Sequence, residues 1–259
     1  MSTTLPTISV SIVSHVQARL LGALLSDLEK YCKNYPMEVL LTLNLPEVLP
    51  FNAEGFSFPV FVRVNAAPKG FSANHNQAFA RSSGQLFCVM NPDIRLDSEV
   101  FSALHACLQN LAVGIAAPLV MNEQGTMEDS ARHFPTPLKI FCKALGGCWG
   151  SDYAVEGKTV FPDWVAGMCM LFRREVFEKL GGFDERYFLY YEDVDMCVRL
   201  RLQGYQVALC PDASVVHYAH RSSHRNLKYM RWHLTSMLRF FLSGPFLKIS
   251  WQRCTKRSP

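Results

Sequence analysis

The sequence lacks most signatures of the common enzyme classes. It has no GxxxxGKS/T loop and no GxGxxG, so the usual ATP and dinucleotide sites are excluded. It has no HExxH and no Cys/His cluster with metal-ligand spacing, so zinc chemistry has no support. No GxSxG is present, and Ser14 and His15 are chain neighbours rather than parts of an assembled hydrolase triad. No apolar run approaches the ~20 residues of a membrane span. No basic stretch precedes the first apolar run, so the N-terminus does not read as a signal peptide. The nine cysteines form no CxxC pair. Most lie in apolar stretches such as Leu86–Met90, which predicts free buried thiols and a reducing cytosol. There is no internal repeat and no low-complexity segment.

Acidic residues are also missing from one part of the chain. The last is Asp212, and the 47 residues that follow contain nine Lys/Arg and no Asp or Glu. The first 212 residues carry 17 Lys/Arg against 22 Asp/Glu, so a formal charge of +4 hides an acidic body and a basic tail.

What is present is an ordinary globular composition: 259 residues, 49% hydrophobic and 19% charged, enough for a sizeable core. Strands are predicted over residues 7–13, 37–43, 59–64, 85–90 and 113–120. Helices are predicted over 17–33, over 72–81 with Ser72 as N-cap, and over 98–110. This alternation points to an α/β fold with a Rossmann-like sheet flanked by helices. Further on, a short helix is expected over 138–145, a strand over 165–172, and helices over 175–180 and 192–203. Strands are expected over 205–209 and 214–218, then a final basic helix over 226–242 broken at Gly244-Pro245. The predicted division is a domain over 1–220, split near 120 into nucleotide and acceptor parts, and a basic helical segment over 221–259.

Three constellations can carry chemistry. Asn91-Pro92-Asp93 ends a strand, where α/β sheets bind ligands. A carboxylate there can hold a divalent cation on a diphosphate, or the tripeptide is simply a turn. Glu192, Asp193 and Asp195 open a helix after an aromatic approach. They are either ordinary acids favoured by the helix dipole or include a general base. His217 either ligates the same metal or is merely hydrogen-bonded.

Together with Asn74-His75-Asn76, Asp163–Gly167, Gly181–Glu185, Arg199 and Gly204, these residues resemble the family 2 glycosyltransferases of GT-A fold. The rhamnosyltransferase-like branch of O-antigen and polysaccharide synthesis is the most similar. The resemblance covers about residues 7–240, and the run from Trp164 to Gly204 is its most specific part. It implies an inverting, metal-dependent transfer from a nucleotide-sugar, first choice dTDP-L-rhamnose, to a lipid-linked or lipopolysaccharide saccharide. Asp193 would be the base, with Glu192 as second choice. Asp93 and His217 would hold Mg²⁺ or Mn²⁺. Donor contacts would come from Ser14, Asn44, Lys69, Gly70, Asn74, Asn76, Asn91 and Asp93, and acceptor contacts from Trp164, Gly167 and Tyr191. One departure stands out. Leu43-Asn44 replaces the family's Asp-Asn pair, whose Asp contacts the nucleobase.

The tail interleaves Arg225, Lys228, Arg231 and Arg239 with large apolar residues. This suits a basic amphipathic helix on the inner face of the cytoplasmic membrane, or a helix docked on its own domain. Without a helix-turn-helix, RRM or zinc finger, the cations alone do not imply nucleic acid. A nucleic-acid-binding module and an inactive transferase-like scaffold are the rival classes.

Overall fold

The computed structural model describes residues 7–144, 147, 151–218 and 227–255. Ile and Val alternate with Ser in strand β1 (Ile8–Ser14), and strand β2 (Met37–Leu43) is mostly Leu and Val; both are buried along almost their whole length. Between them lies helix α1 (Ala18–Tyr31). Its leucines at 21, 24, 25 and 28 are fully buried in the core. Burying each contributes about 1.5–3 kcal/mol. Strand β3 (Val60–Val64), helix α2 (Phe71–Phe79) and strand β4 (Leu86–Met90) complete a parallel run in the order β3-β2-β1-β4.

Helix α2 starts one residue before the predicted Ser72 cap. Gly70 is the N-cap, and Ser72 is buried in the first turn. The reason is a close crossing. Phe71 N–H donates to the Phe188 carbonyl at 2.8 Å, and a Cβ on Gly70 would sit 2.6 Å from that oxygen.

The second half adds β5 (Ile94–Arg95), α3 (Phe101–Leu108), β6 (Val113–Met121), β7 (Ala131–Arg132) and α4 (Pro137–Ala144). It continues with β8 (Trp164–Val165), β9 (Cys169–Arg173), α5 (Arg174–Lys179), α6 (Glu192–Leu202) and β10 (Gln206–His217). The main sheet extends as β4-β9-β6-β10-β5, with β9 antiparallel to both β4 and β6, so the sheet is mixed. The strand expected over 165–172 is split. β8 pairs with β7, β9 joins the main sheet, and Ala166–Met168 bridge them. The two strands expected over 205–218 are instead one, β10. Its register with β6 shifts between Cys210 and Ser214, where Pro211 lacks an N–H for the ladder.

The thiols are not all free. Cys107 on α3 and Cys210 on β10 form a disulfide across 103 residues, a separation that carries no sequence signal. Cys32, Cys88, Cys169 and Cys197 are free and buried, as expected.

Gly244-Pro245 does not end the helical tail. Helix α7 (Leu227–Phe241) is followed by α8 (Gly244–Thr255), whose start accommodates proline because a first-turn N–H needs no partner. Ser243 Oγ accepts the Phe246 N–H at 3.2 Å. Phe240 and Ile249 join the core cluster around α6. Arg253 pairs with Asp163 at 2.5 Å and clips α8 to the body. Arg225, singled out above, and the proposed boundary at 220/221 lie outside the described residues.

Candidate active site

A cleft of about 1010 Å³ opens beyond the carboxyl ends of β1, β2 and β4, marked by Val13, Asn44 and Asn91. Asp93 and the pair Glu192–Asp193 line this same cleft, although they lie a hundred residues apart in the chain.

The Asp93 turn is fixed from several sides. Asn91 N–H donates to the Met168 carbonyl at 2.9 Å, and Tyr218 N–H to the Asp93 carbonyl at 2.9 Å. Arg95, just beyond, makes a two-pronged pair with buried Asp27 of α1 at 2.5 and 2.9 Å. The antiparallel register of β5 and β10 sets His217 opposite Ile94. His217 Nε2 then lies 3.4 Å from Asp93 Oδ2, and its Nδ1 lies 3.0 Å from Glu128 Oε2. Its hydrogen bond to Asp93 raises the imidazole pKa against the opposing effect of burial.

Asp93 Oδ1 is buried without a hydrogen-bond partner. An orphaned carboxylate oxygen beside an imidazole, itself oriented by a second carboxylate, fits a divalent cation. Among the described residues no group of three or more His, Cys, Asp or Glu side chains is placed to hold a metal ion by itself. Asp93 and His217 would be two protein ligands, which suits a hard cation that takes its remaining oxygens from phosphate and water. To serve as a ligand, His217 would have to present a deprotonated Nε2.

The second carboxylate group is set by an unusual chain path. Tyr190 and Tyr191 both have left-handed backbones, at φ 70° and 68°, and lead into α6. Such strain in non-glycine residues gathers at functional sites. The third case, Val16 at φ 61°, also lines the cleft. The three acids of this helix have different surroundings. Asp195 is buried and ion-paired to Arg199 at 2.7 Å, while Arg199 also donates to the Leu180 carbonyl, so Asp195 is structural. Asp193 Oδ2 accepts the Gly167 N–H at 3.0 Å and Oδ1 the Val194 N–H at 2.8 Å. Burial raises its pKa, against those N–H groups and the charge of Arg132. Glu192 is buried with Oε2 unpartnered. Burial, and then the neighbouring Asp193 charge, push it far up. At neutral pH Asp193 is the better candidate for the ionised base and Glu192 for the neutral acid.

The remaining expected residues divide. Asn44, Lys69, Asn74, Asn91 and Gly167 line the cleft; Ser14, Gly70, Asn76, Trp164, Tyr191 and His217 do not. Buried Ser14 donates to Glu47 and accepts the Gln17 N–H. Asn76 clamps both the N–H and the carbonyl of Phe183. Trp164 donates its indole N–H to the His133 carbonyl at 3.0 Å. Tyr190, rather than Tyr191, faces the cleft. Asn44 is itself engaged: its Oδ1 accepts from Lys69 N and Asn65 Nδ2, and its Nδ2 donates to the Lys69 carbonyl.

Sequence reasoning missed Glu47, and it missed Tyr229 and Trp232 of α7 as cleft-lining groups. Glu47 Oε2 accepts the Ala18 N–H at the start of α1, the favoured place for an acid. The tail's aromatic residues were the available signal for Tyr229 and Trp232. Trp232 stacks on Phe188 at 4.6 Å, which brings α7 to the cleft wall.

Comparison with known proteins agrees with this geometry. Residues 59–235 match the family model described as glycosyltransferase like family 2. The chain is 43% identical over 183 residues to rhamnosyltransferase WbbL of Escherichia coli K12, covering 66% of this chain and 69% of that protein. It is 33% identical over 148 residues to N-acetylglucosaminyl-diphospho-decaprenol L-rhamnosyltransferase of Mycobacterium tuberculosis, covering 53% of this chain and 48% of that protein. The chain thus spans about half the length of that relative. Among solved structures, GalNAc-T7 with UDP, GalNAc and Mn²⁺ aligns at TM-score 0.64 and 17% identity, over 83% of this chain and 44% of that one. The mannosyltransferase PcManGT of Pyrobaculum calidifontis, with GDP-Man and Mn²⁺, aligns at TM-score 0.58 and 15% identity, over 94% of this chain and 68% of that one. The expected GT-A fold is borne out.

Proposed function

The chain belongs to glycosyltransferase family 2, and we propose that it transfers L-rhamnose from dTDP-L-rhamnose, with inversion, to a lipid-linked or lipopolysaccharide saccharide. That it is a nucleotide-sugar glycosyltransferase follows from the family. The donor is argued from relatives named as rhamnosyltransferases, including the dTDP-rhamnosyl transferase RfbF of Shigella flexneri, 28% identical over 126 residues. The acceptor class is argued from the Mycobacterium tuberculosis relative, whose name specifies a polyprenyl-diphosphate sugar. Such an acceptor is presented at the inner face of the cytoplasmic membrane. No helix among the described residues is long and apolar enough to cross a membrane.

The observation that carries the reading is the meeting of Asp193 and Asp93 in one cleft. Asp193, oriented by the Gly167 N–H, takes the proton of the acceptor hydroxyl. The hydroxyl oxygen bonds to the anomeric carbon as the bond to the diphosphate oxygen breaks, and the sugar inverts. Burial and the neighbouring Asp193 charge favour the neutral form of Glu192, which leaves the negative charge on Asp193 to accept the proton. Asp93 with His217 would hold Mg²⁺ or Mn²⁺, which supplies Lewis-acid stabilisation of the departing diphosphate.

The test is a transfer assay with the purified chain, an N-acetylglucosaminyl-diphospho-polyprenol acceptor, and a panel of nucleotide-sugars. Expected is turnover with dTDP-L-rhamnose, lost with EDTA and restored by Mn²⁺ or Mg²⁺. Turnover with another donor alone would replace the sugar assignment. Absence of both turnover and ligand-induced thermal stabilisation, across donors with metal, would favour an inactive scaffold.

A further inference from the structure

Helix α7 has two apolar faces, and among the described residues only one of them is covered. The inner face packs Phe240 and half-buried Met237 and Phe241 into the α6 core. Ser236 Oγ donates to the Leu189 carbonyl at 2.9 Å, and Trp232 stacks on Phe188. The outer face carries Leu227, Met230, Leu234 and Leu238, continued by Leu242 just past the helix end, and these five are 48–79% exposed. Their spacing of three or four residues places them in one stripe, at about 100° per residue. On α8, Leu247 and Trp251 lie one turn apart and are 57% and 69% exposed. A stripe of this kind on a soluble surface marks an interaction site.

We infer that this outer face of α7, together with Leu247 and Trp251 of α8, is seated on an anionic phospholipid surface. Charge decides between lipid and a second copy of the chain. Arg231 and Arg239 flank the leucine stripe, Lys248 follows Leu247 on α8, and no acid occurs after Asp212. A two-fold pairing of this stripe with itself would bring like charges together, whereas anionic headgroups complement them. The stripe is a helix that also walls the cleft, through Tyr229 and Trp232 on its inner side. Seating the outer face on a bilayer therefore holds the cleft next to a lipid-borne acceptor, a consequence that rests on the proposed function; the lipid contact itself does not.

The experiment is flotation of the full chain with vesicles of 30% phosphatidylglycerol in phosphatidylcholine, and with phosphatidylcholine alone. Leu234→Glu/Leu238→Glu is compared with wild type, with melting temperature and light-scattering mass measured for each. Wild type is expected to float with the anionic vesicles and to be released as salt rises. The double variant should bind about tenfold more weakly at an unchanged melting temperature, because both positions are exposed. Equal flotation of the two proteins overturns the assignment of the face. Failure of wild type to bind anionic vesicles overturns the lipid assignment, and a dimer abolished by the same substitutions would reassign the stripe to self-association. Since flotation needs no activity, it separates this inference from the choice of donor and acceptor. Should the proposed function hold, the variant would retain transfer to a soluble acceptor and lose transfer to one embedded in vesicles.

Discussion

Two clusters of buried polar groups face the same cleft and are built in opposite ways. Asn44, Asn65 and Asn74 bind one another and the Lys69 backbone at 2.7–3.2 Å, and within this cluster Asn65 Oδ1 alone lacks a partner. The carboxylates of Asp93 and Glu192 each keep a buried oxygen without a partner, and Glu192 follows two left-handed tyrosines. A polar group satisfied by its neighbours holds a loop in shape, and a ligand that took it would have to break those bonds. A polar group left unsatisfied carries a desolvation cost that a ligand or proton can relieve. Asn44 and Asn74, whose amides are engaged on both ends, are therefore framework, and the carboxylates are where chemistry has room to occur.

Asp193→Asn tests that division most severely. Transfer should fall about 10²–10⁴-fold, the usual contribution of a positioned base. The Gly167 and Val194 N–H groups donate to different carboxylate oxygens, so the amide keeps only one of them as a partner, while a buried charge is removed; the two effects oppose, and the fold should survive with a small shift in melting temperature. Calorimetry and initial rates with the same donor make the check. A variant that loses its fold along with its activity would place Asp193 in the framework instead.

Asn44→Ala should do the reverse. It removes partners from Lys69 N, the Lys69 carbonyl and Asn65 Nδ2 together. Leaving such groups buried and unpaired costs about 1–3 kcal/mol each at most, and about 1–3 kcal/mol overall where water can reach them. For a chain of this size the melting temperature drops about 2–4 °C per kcal/mol. The KM for the donor should change little. A large KM effect at unchanged stability would return Asn44 to donor recognition and blur the contrast between the clusters.

The contrast was only half legible in the sequence. The strands and helices of residues 7–120 could be read because apolar periodicity is local, and their observed bounds differ by a few residues at most. Asp93, Glu192 and Asp193 could be found because strand ends and helix starts are where carboxylates act. Three features were beyond that kind of reading. Asn44 and Asn76 carry the same residue types whether they contact donor or backbone, and only the fold reveals Lys69 and Phe183 as their partners. The Cys107–Cys210 bridge and the α7 wall depend on contacts between distant segments. The second C-terminal helix was hidden because Gly-Pro ends a helix as readily as proline starts one.

The smallest expected effect sharpens the contrast within the carboxylates themselves. Burial, and then the charge of Asp193, hold the Glu192 carboxyl well above its ordinary range. A group whose folded-state pKa is raised leaves stability intact below its unfolded pKa, here about 4.3. That stability is lost as pH climbs through the raised value, because the folded state resists ionisation that the unfolded chain undergoes freely. Glu192→Gln fixes the neutral form. It should melt with wild type near pH 4 and above it at pH 8, by about 2–4 °C for each kcal/mol relieved. It should also keep most of the transfer activity that Asp193→Asn loses. If instead the glutamine variant loses transfer and Asp193→Asn keeps it, Glu192 is the base. The buried unpartnered oxygen would then be the one that receives the acceptor proton, and the Asp193 carboxylate would serve to hold the Gly167 turn.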